Sequence, residues 1–440
     1  MSDRLPLDRP AVLMLVGGTV LDETGERRAD VLVRDGVIAE VGSSLAVPAG
    51  AMVLDTSGAV VVPGLVDLHA HLREPGLEDS ETIETGARGA ALGGFTAVVA
   101  MPNTDPPLDD AAVIQSVLER GRSSVCDVHV AGCVTRGRAG TELAPLGEMY
   151  DLGARFFTDD GACVADAAVM RHALEYATAL PGAVISQHAE DPALAAGGHL
   201  HEGEWSSRLG MVGRPGAAEV TIVARDLALA RLTGARYHVQ HLSTAGAADL
   251  VRSAKADGVR VTAECTPHHL VLTDEACKSF DPVFKVNPPL RSRSDVEALI
   301  EALADGTIDA IATDHAPHAP ESKAVPFEDA PPGVLGLETA LAVAITHLVE
   351  AERMSLAGVV GALSWRPARL AGLSEHGGPV VVGRPANLCA IDAHHRWVVD
   401  ATTMASRSRN SPFDGWELVG RVRHTVLRGE PVVIDAKARR

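Results

Sequence analysis

The two histidines of the segment DLHAHLREPG, His69 and His71, are spaced for metal binding. Alternate side chains of a β-strand point to the same side, so both imidazoles would face one side of a strand, as two ligands of one metal ion must. Arg73 follows two residues later, and its planar guanidinium is suited to a carboxylate. The segment therefore predicts a metal centre beside an anion-binding arginine, although Arg73 could also form a surface ion pair with Glu74 or Glu78.

Further histidines and aspartates follow other apolar, strand-like segments. These candidates are Asp159, Asp160, His188, His241 and Asp314. With one aspartate of the neighbouring pair Asp159 and Asp160 counted, four histidines and two carboxylates are enough ligands for two divalent cations that share one carboxylate. A single histidine at a strand end is more often a hydrogen-bonded structural residue than a ligand. We interpret five other histidines in that way: His129, His172, His238, His268 and His269.

Polar residues that also follow strand-like segments predict a substrate pocket. They are Asn103 in MPNT, Asn287 in KVNPPL and His318 in TDHAPH. Together with Arg73, they could bind a substrate carboxylate by charge and hydrogen bonding. The proline-rich segment from residue 316 to 333 follows Asp314 directly. It could be a lid that excludes water or an ordered structural loop, and the sequence leaves both open.

The elements that must position these residues are eight apolar segments between residues 59 and 374. They are GLVDLHAH, FTAVVAMP, VHVAGCVT, ARFFTDD, AVISQHAE, RYHVQHLS, VRVTAECTPHHL and IDAIATDHAP. Helix-like stretches such as AAVIQSVLERG lie between them. Apolar strands alternating with helices predict an α/β fold, a closed (β/α)₈ TIM-like barrel, whose functional groups lie where its strands end. An open doubly wound sheet is the alternative, but no G-x-G-x-x-G follows the first strand.

Both ends of the chain carry short β-like runs with glycine-rich turns. Neither end is large enough to form a stable sheet by itself. We therefore expect residues 1–58 and residues 375–440 to pair into one small β-sandwich domain beside a barrel formed by residues 59–374.

Composition limits the classes of partner. The net charge of −19 arises from 58 acidic against 39 basic residues, which disfavours nucleic acid or an anionic membrane as the main partner. We find no signal peptide and no apolar run long enough to span a membrane. The six cysteines are scattered and form no C-x-x-C pair, which is typical of buried free thiols in the cytoplasm.

Seven motifs carry a resemblance to a known family. They are DLHAHLREPG, MPNT, FTDDG, QHAED, HLST, NPPLR and TDHAPH. This set resembles the amidohydrolase superfamily, and specifically the bacterial class I dihydroorotases. The likeness covers nearly the whole chain, because the flanking β segments are similar to the composite small domain of that superfamily.

The resemblance implies a role for each matched residue. Zn²⁺, two ions per subunit, would be bridged by Asp160 and a hydroxide. The implied metal ligands are His69, His71, Asp160, His188, His241 and Asp314. Asp314 would also be the catalytic proton shuttle. The implied substrate contacts are His71, Arg73, Asn103, Asn287, His318, Pro332 and Gly333. The implied reaction is the reversible hydrolysis of dihydroorotate to N-carbamoyl-L-aspartate in pyrimidine biosynthesis.

The absence of any lysine before residue 255 tests this resemblance. Hydantoinases, allantoinases and dihydropyrimidinases bridge their metals with a carboxylated lysine on the fourth barrel strand, and the first lysine of this chain is Lys255. Another cyclic amidase of that kind remains one alternative, and an inactive subunit that scaffolds aspartate transcarbamoylase is the second. The small-molecule substrate is the expected partner. A homodimer or a complex with aspartate transcarbamoylase stays open, since no interface is visible in the sequence.

Overall fold

The computed structural model describes residues 9–439. In chain order its strands are β1 (Val12–Val16), β2 (Thr19–Asp22), β3 (Gly25–Arg28), β4 (Asp30–Arg34), β5 (Val37–Gly42), β6 (Met52–Asp55), β7 (Val60–Pro63), β8 (Leu65–Ala70), β9 (Phe95–Ala100), β10 (Asp127–Gly132), β11 (Phe156–Phe157), β12 (Val184–Gln187), β13 (Leu200–His201), β14 (Gly213–Arg214), β15 (Tyr237–Val239), β16 (Val261–Cys265), β17 (Ala310–Ile311), β18 (Leu388–Val398), β19 (Glu417–Leu427), β20 (Glu430–Ile434) and β21 (Lys437–Ala438). Its α-helices are α1 (Ile83–Leu92), α2 (Ala111–Gly121), α3 (Leu146–Asp151), α4 (Ala167–Ala177), α5 (Glu204–Leu209), α6 (Ala217–Thr233), α7 (Ala245–Ala256), α8 (Arg293–Ala304), α9 (Pro320–Lys323), α10 (Ala340–Ala344), α11 (Leu356–Leu363) and α12 (Trp365–Ala371).

The predicted barrel is confirmed. Its eight strands stand in the order β8, β9, β10, β11, β12, β15, β16, β17, and each neighbouring pair is parallel. A parallel bridge between Ala70 and His315 brings the last strand region against the first. Every residue of β8 and β9 is buried, as expected for strands covered on both faces. All eight strand-like segments identified in the sequence therefore supply the barrel.

Helix starts between the strands follow from capping residues. Asp110 and Asp166 accept backbone N–H groups at the first turns of α2 and α4, and Thr244 does so for α7. These caps fix where each helix begins, and hence how long the preceding loop is. The loops that follow β10, β11 and β15 carry much of the candidate site.

The small domain draws on both ends of the chain and has two sheets. One sheet has the order β5, β4, β1, β6, and the other has the order β21, β20, β19, β18, β7, β2, β3. Side chains from both sheets share one apolar core, which includes Leu13, Val33, Val61 and Leu388. The strand β7 pairs with β2 and β18 inside this domain. The proposed domain bounds of 1–58, 59–374 and 375–440 stay predictions.

No helix within residues 9–439 is long and apolar enough to cross a bilayer. All six cysteines are free thiols, and Cys163 is the least buried of them. Burial raises the pKa of the Cys163 thiol to about 12, so it stays protonated at neutral pH.

Candidate metal centre and active site

The histidine pair of the first barrel strand converges on Asp160. His69 lies within β8, whereas His71 follows its last residue. The Nε2 atoms of His69 and His71 lie 3.4 Å from Oδ1 and Oδ2 of Asp160, respectively. All three side chains are buried. The two imidazoles therefore face opposite oxygens of one carboxylate.

The two neighbouring aspartates of FTDDG face in different directions. Asp159 accepts hydrogen bonds from the backbone N–H groups of Val134 and Thr135, each at 2.9 Å, and from the Thr135 hydroxyl. It therefore holds the loop after β10. Asp160 instead faces the cluster of histidines. The geometry agrees with the choice of Asp160 as the candidate bridging residue.

A second pair of histidines also faces Asp160. His188 follows β12 and His241 follows β15, and their facing Nδ1 and Nε2 atoms are 2.9 Å apart. His241 Nε2 lies 3.5 Å and His188 Nδ1 lies 3.8 Å from Asp160 Oδ1. Both rings thus address the same carboxylate oxygen. His69 approaches this oxygen as well, whereas His71 approaches Oδ2.

Asp314 completes the cluster from the loop after β17. Its Oδ1 atom lies 3.0 Å from His71 Nε2 and 3.5 Å from His69 Nε2. Burial raises the pKa of Asp314, but the hydrogen bond to His71 and the charge of His69 outweigh burial and lower it. The carboxylate is therefore available as a base or a ligand at neutral pH.

The donor atoms fit metal ions. A tetrahedral zinc with nitrogen ligands separates its ligand atoms by roughly 3.3 Å, close to the spacings around Asp160. Two overlapping sets of donors have ligand atoms within 4.8 Å of one another: His69, Asp160 and His241, and His69, His71 and Asp314. His69 Nε2 and Asp160 Oδ1 are buried without a hydrogen-bond partner among the described residues. Buried polar atoms without partners are costly, and a bound cation would satisfy these two.

The electrostatics of the cluster favour a positive charge. Burial lowers the pKa of His69, yet the charge of Asp160 outweighs burial and raises that pKa well above its usual value. Burial raises the pKa of Asp160, but the charge of His69 outweighs burial and lowers that pKa well below its usual range. The buried carboxylates thus favour a positive charge beside them, which a divalent cation would supply in place of a proton on His69.

Glu264, at the inner side of β16, was not among the residues selected from the sequence. Its Oε1 lies 2.8 Å from His69 Nδ1, and its Oε2 lies 3.2 Å from His238 Nε2. His238 in turn contacts the Thr262 hydroxyl at 2.8 Å, which agrees with its structural interpretation. A charged residue within the apolar run VTAEC was the signal that could have identified Glu264.

Arg73 is buried and does not form the surface ion pair considered as its alternative. Its Nε donates to the Pro317 carbonyl at 3.1 Å, while Glu74 contacts Arg120. Burial lowers the pKa of Arg73 to about 10, so the guanidinium keeps its charge at neutral pH. Asn103 lies nearby and accepts a hydrogen bond from His71 Nδ1 at 2.7 Å, which leaves its NH₂ group for another partner.

The predicted substrate contacts line one cavity of about 250 Å³ together with most of the candidate metal ligands. The substrate-side residues on its wall are His71, Arg73, Asn103, Asn287, His318, Pro332 and Gly333. His318 Nε2 donates to the Pro332 carbonyl at 2.8 Å, and burial together with the charge of Arg73 lowers the His318 pKa to about 3. His318 is therefore neutral, and its Nδ1 is the ring nitrogen left for a ligand.

Arg138 also lines the cavity and was not selected from the sequence. Its Nη2 donates to the Asp160 carbonyl at 2.6 Å, and its Nε donates to the Asp159 carbonyl at 3.3 Å. It thus holds the turn that carries the central carboxylate. Nothing in TRGRAG distinguishes this arginine from an ordinary surface residue, because the contact crosses from one loop to another.

Four residues of the site have left-handed backbone conformations. Arg73, Arg138, His241 and Asp314 have φ values of 60°, 56°, 28° and 45°. Such conformations cost of order 1–3 kcal/mol each in a residue with a side chain, and they persist where the surroundings impose them. The loops are therefore held in strained geometries that aim these side chains into the cavity.

The remaining histidines lie in structural contacts or outside the cavity wall. His269 contacts the Thr266 hydroxyl and the Pro288 carbonyl, at 2.8 and 3.1 Å. Near the start of β10, His376 contacts Asp127 at 3.1 Å, and Asp127 also pairs with Arg428 of the small domain. Asp127, with His129 and His376, could offer metal donors, but the guanidinium already neutralises its carboxylate. This cluster is better explained as a link between barrel and small domain.

Comparisons with known proteins agree with this geometry. Residues 58–247 match the model of the Dihydro-orotase-like family. A dihydroorotase of Streptomyces coelicolor is 51% identical over 416 residues, which cover 94% of this chain and 97% of that protein. A dihydroorotase of Mycobacterium bovis is 50% identical, over 94% of this chain and 96% of that protein.

The chain belongs to the dihydroorotase family. Among solved structures, an L-hydantoinase from Arthrobacter aurescens has a TM-score of 0.87 at 28% identity and covers 97% of both chains. The barrel and small domain are thus shared with hydantoinases of the same metal-dependent superfamily. In this chain Asp160, which follows β11, lies 3.4 to 3.8 Å from all four histidines of the cluster.

Proposed function

We propose that this chain is a dihydroorotase that interconverts (S)-dihydroorotate and N-carbamoyl-L-aspartate in pyrimidine biosynthesis. The observation that carries the proposal is the buried, charged Arg73 in the same cavity as five candidate metal ligands, which are His71, Asp160, His188, His241 and Asp314. A ring amide with an adjacent carboxylate presents the two features that such a cavity would recognise. The 51% and 50% identical dihydroorotases support the same assignment.

The proposed cofactor is zinc, with two ions per subunit. His69, His71 and Asp314 would hold one ion, His188 and His241 the other, and Asp160 would contact both. When bound, the metal pair supplies Lewis-acid polarisation of the ring carbonyl and lowers the pKa of the attacking water. Oxygen and imidazole donors also accept cobalt or manganese, so metal availability contributes to the choice.

The protein side chains position the substrate and move the proton. Arg73 binds the ring carboxylate, and Asn103 donates its NH₂ group beside it. The unprotonated Nδ1 of His318 would accept a hydrogen bond from a substrate N–H. Asn287 and the backbone at Pro332 and Gly333 contact the ring. Asp314 accepts the proton of the attacking water and delivers it to the ring nitrogen as the C–N bond breaks. One water is consumed, and the products are a carboxylate and a ureido group.

The test is metal content by elemental analysis, paired with dihydroorotate hydrolysis before and after chelation. We expect about two zinc ions per chain, with activity lost on chelation and restored by zinc. One ion with full activity would remove the bridging role of Asp160. No metal and no activity after zinc is supplied would favour the scaffolding subunit.

The structural likeness to an L-hydantoinase makes a hydantoinase the alternative to test. Turnover rates on a panel of cyclic amides distinguish the two activities. Hydantoin and allantoin lack the ring carboxylate of dihydroorotate. We expect turnover of dihydroorotate alone, because Arg73 would otherwise stay buried without an anionic partner from the substrate. Equal turnover of hydantoin would reject the carboxylate pocket.

We also propose that the protein acts in the cytoplasm. Homodimerisation and association with aspartate transcarbamoylase are the two assemblies to test.

A further inference from the structure

Arg214 lies behind the cavity wall and connects two residues of the site. It is the last residue of β14, and its side chain is 22% exposed. Its Nη1 atom donates to Glu190 Oε2 at 2.7 Å and to the Oδ1 atom of Asn287. Asn287 lines the cavity, whereas Arg214 is not among the residues on that wall. Arg214 would therefore act on a ligand only through its neighbours.

The contact fixes the orientation of the Asn287 amide. A guanidinium can only donate hydrogen bonds, so the amide atom that faces Arg214 must be the oxygen. The NH₂ group then points the other way, towards the cavity, where Nδ2 lies 3.4 Å from His188 Nε2. With the amide fixed in this way, the wall at Asn287 presents a donor to a ligand.

The arginine itself is held rigidly. Its Nε donates to the Gly198 carbonyl at 2.8 Å, and its own carbonyl accepts from Arg291 Nη1 at 3.1 Å. Arg291 is 1% exposed and is anchored by the Ser243 hydroxyl at 3.0 Å. β14 also pairs with β13, which fixes the backbone. Such support is what a group that orients another side chain requires.

We infer that Arg214 is a positioning residue that sets the hydrogen-bonding polarity of the pocket at Asn287. By holding the amide oxygen outside the cavity, it makes this wall select a ring carbonyl and disfavour a ring N–H. The inference rests on the proposed function, because the dihydroorotate ring offers both carbonyl and N–H groups along its edge. It adds to that function a structural reason why Asn287 would offer a hydrogen-bond donor to the substrate ring.

The experiment compares KM, kcat and metal content for Arg214→Met, Arg214→Lys and the wild type on dihydroorotate. Arg214→Met removes every donor, so the amide can rotate and KM should rise roughly 5- to 10-fold with kcat changed less. Lysine can only donate, so Arg214→Lys should recover part of the loss. Arg208→Met on neighbouring α5, where Arg208 pairs with Glu204 at the surface, is the matched control and should leave KM unchanged.

Asn287→Asp supplies a second test that does not depend on the arginine variants folding. It replaces the NH₂ group with an oxygen while Arg214 is intact, and KM should rise at least as much as in Arg214→Met. An unchanged KM in either Arg214→Met or Asn287→Asp overturns the inference. A loss of metal that parallels the loss of activity in Arg214→Met also overturns it, because the effect would then run through Glu190 and His188. An inactive wild type would instead reject the proposed function.

Discussion

Glu264 Oε1 lies 2.8 Å from His69 Nδ1, and this contact decides which nitrogen of His69 faces the candidate metal centre. A carboxylate at neutral pH accepts hydrogen bonds, so Nδ1 carries a proton. Nε2 is then the nitrogen that faces Asp160 and Asp314 and would offer its lone pair to a metal ion. Burial raises the pKa of Glu264, but hydrogen bonds to His238 and His69 outweigh burial and lower it to about 2. Glu264 therefore stays ionised over the working range of pH.

Glu264→Gln should weaken metal binding by roughly 10- to 100-fold, as expected when a group that orients a ligand histidine loses its charge. Competition with a chelator under defined free zinc measures the affinity directly. Glu301→Gln on the exposed face of α8 is a matched control. An unchanged affinity in Glu264→Gln would mean that the fold alone orients His69.

Arg73→Met should raise KM for dihydroorotate by roughly 10- to 100-fold, because a charge-assisted hydrogen bond to a carboxylate is worth about 1.5–3 kcal/mol. Metal content should stay at the wild-type level, since Arg73 contacts the Pro317 carbonyl and no candidate ligand. Steady-state kinetics with a metal assay give both quantities. A normal KM would contradict the carboxylate-binding role.

The neighbouring aspartates should give opposite results when each is changed to asparagine. Asp160→Asn should lose metal and activity, because Asp160 faces all four histidines of the cluster. Asp159→Asn keeps one oxygen for the backbone N–H groups of Val134 and Thr135, but it loses the negative charge and the second oxygen, which accepts from the Thr135 hydroxyl. It should retain measurable metal while losing roughly 1–3 kcal/mol of stability. Metal loss in Asp159→Asn equal to that in Asp160→Asn would reject the division of roles.

The buried Asp226 should make folding stability depend on pH. Burial, opposed by the charge and hydrogen bond of Arg225, raises its pKa from 3.8 to about 6. The folded state thus keeps the proton of Asp226 up to a higher pH than the unfolded state does. The corresponding stability is fully present below about pH 3.8 and is lost as the pH rises through about 6.

Relative to Asp226→Asn, the wild type should therefore lose up to about 3 kcal/mol between pH 4 and pH 8. Urea denaturation of both proteins at several pH values measures the difference, in which the shared effect of pH on metal binding cancels. Asp151→Asn on the surface of α3 is the control. Parallel stability curves for wild type and Asp226→Asn would show that the folded-state pKa is ordinary.

Lys323 should hold the loop formed by residues 316–333 over the cavity. Its Nζ donates to the carbonyls of Pro331 and Pro282 at 2.7 and 3.0 Å, and burial lowers its pKa to about 7. Lys323→Met should speed amide exchange in this loop and change KM or kcat roughly three- to tenfold, with metal content unchanged. Lys278→Met at the surface is the control. Unchanged kinetics would favour an ordered structural loop over a lid.

The main parts of the fold and of the candidate site were predictable because strand ends of a parallel barrel meet at one face. Five candidate ligands each end an apolar run of the sequence, so locating the strands also located these side chains: His69, Asp160, His188, His241 and Asp314. The pattern of residues within one segment does not show contacts between segments that are distant in the sequence. Arg138 and Arg214 lie in loops or short strands, and only the folded chain reveals that one holds the Asp160 turn and the other holds Asn287.

The bridge between Ala70 and His315 has a consequence for synthesis of the chain. His71 and Asp314 approach to 3.0 Å although 243 positions separate them, so a nascent chain cannot assemble the first set of donors until nearly three quarters of it has left the ribosome. The small domain must wait longer, since β7 pairs with β18. One edge of β8 and one edge of β7 stay unpaired throughout that interval. Chaperone dependence during translation is the expected cost of a metal pocket built from distant parts of one polypeptide.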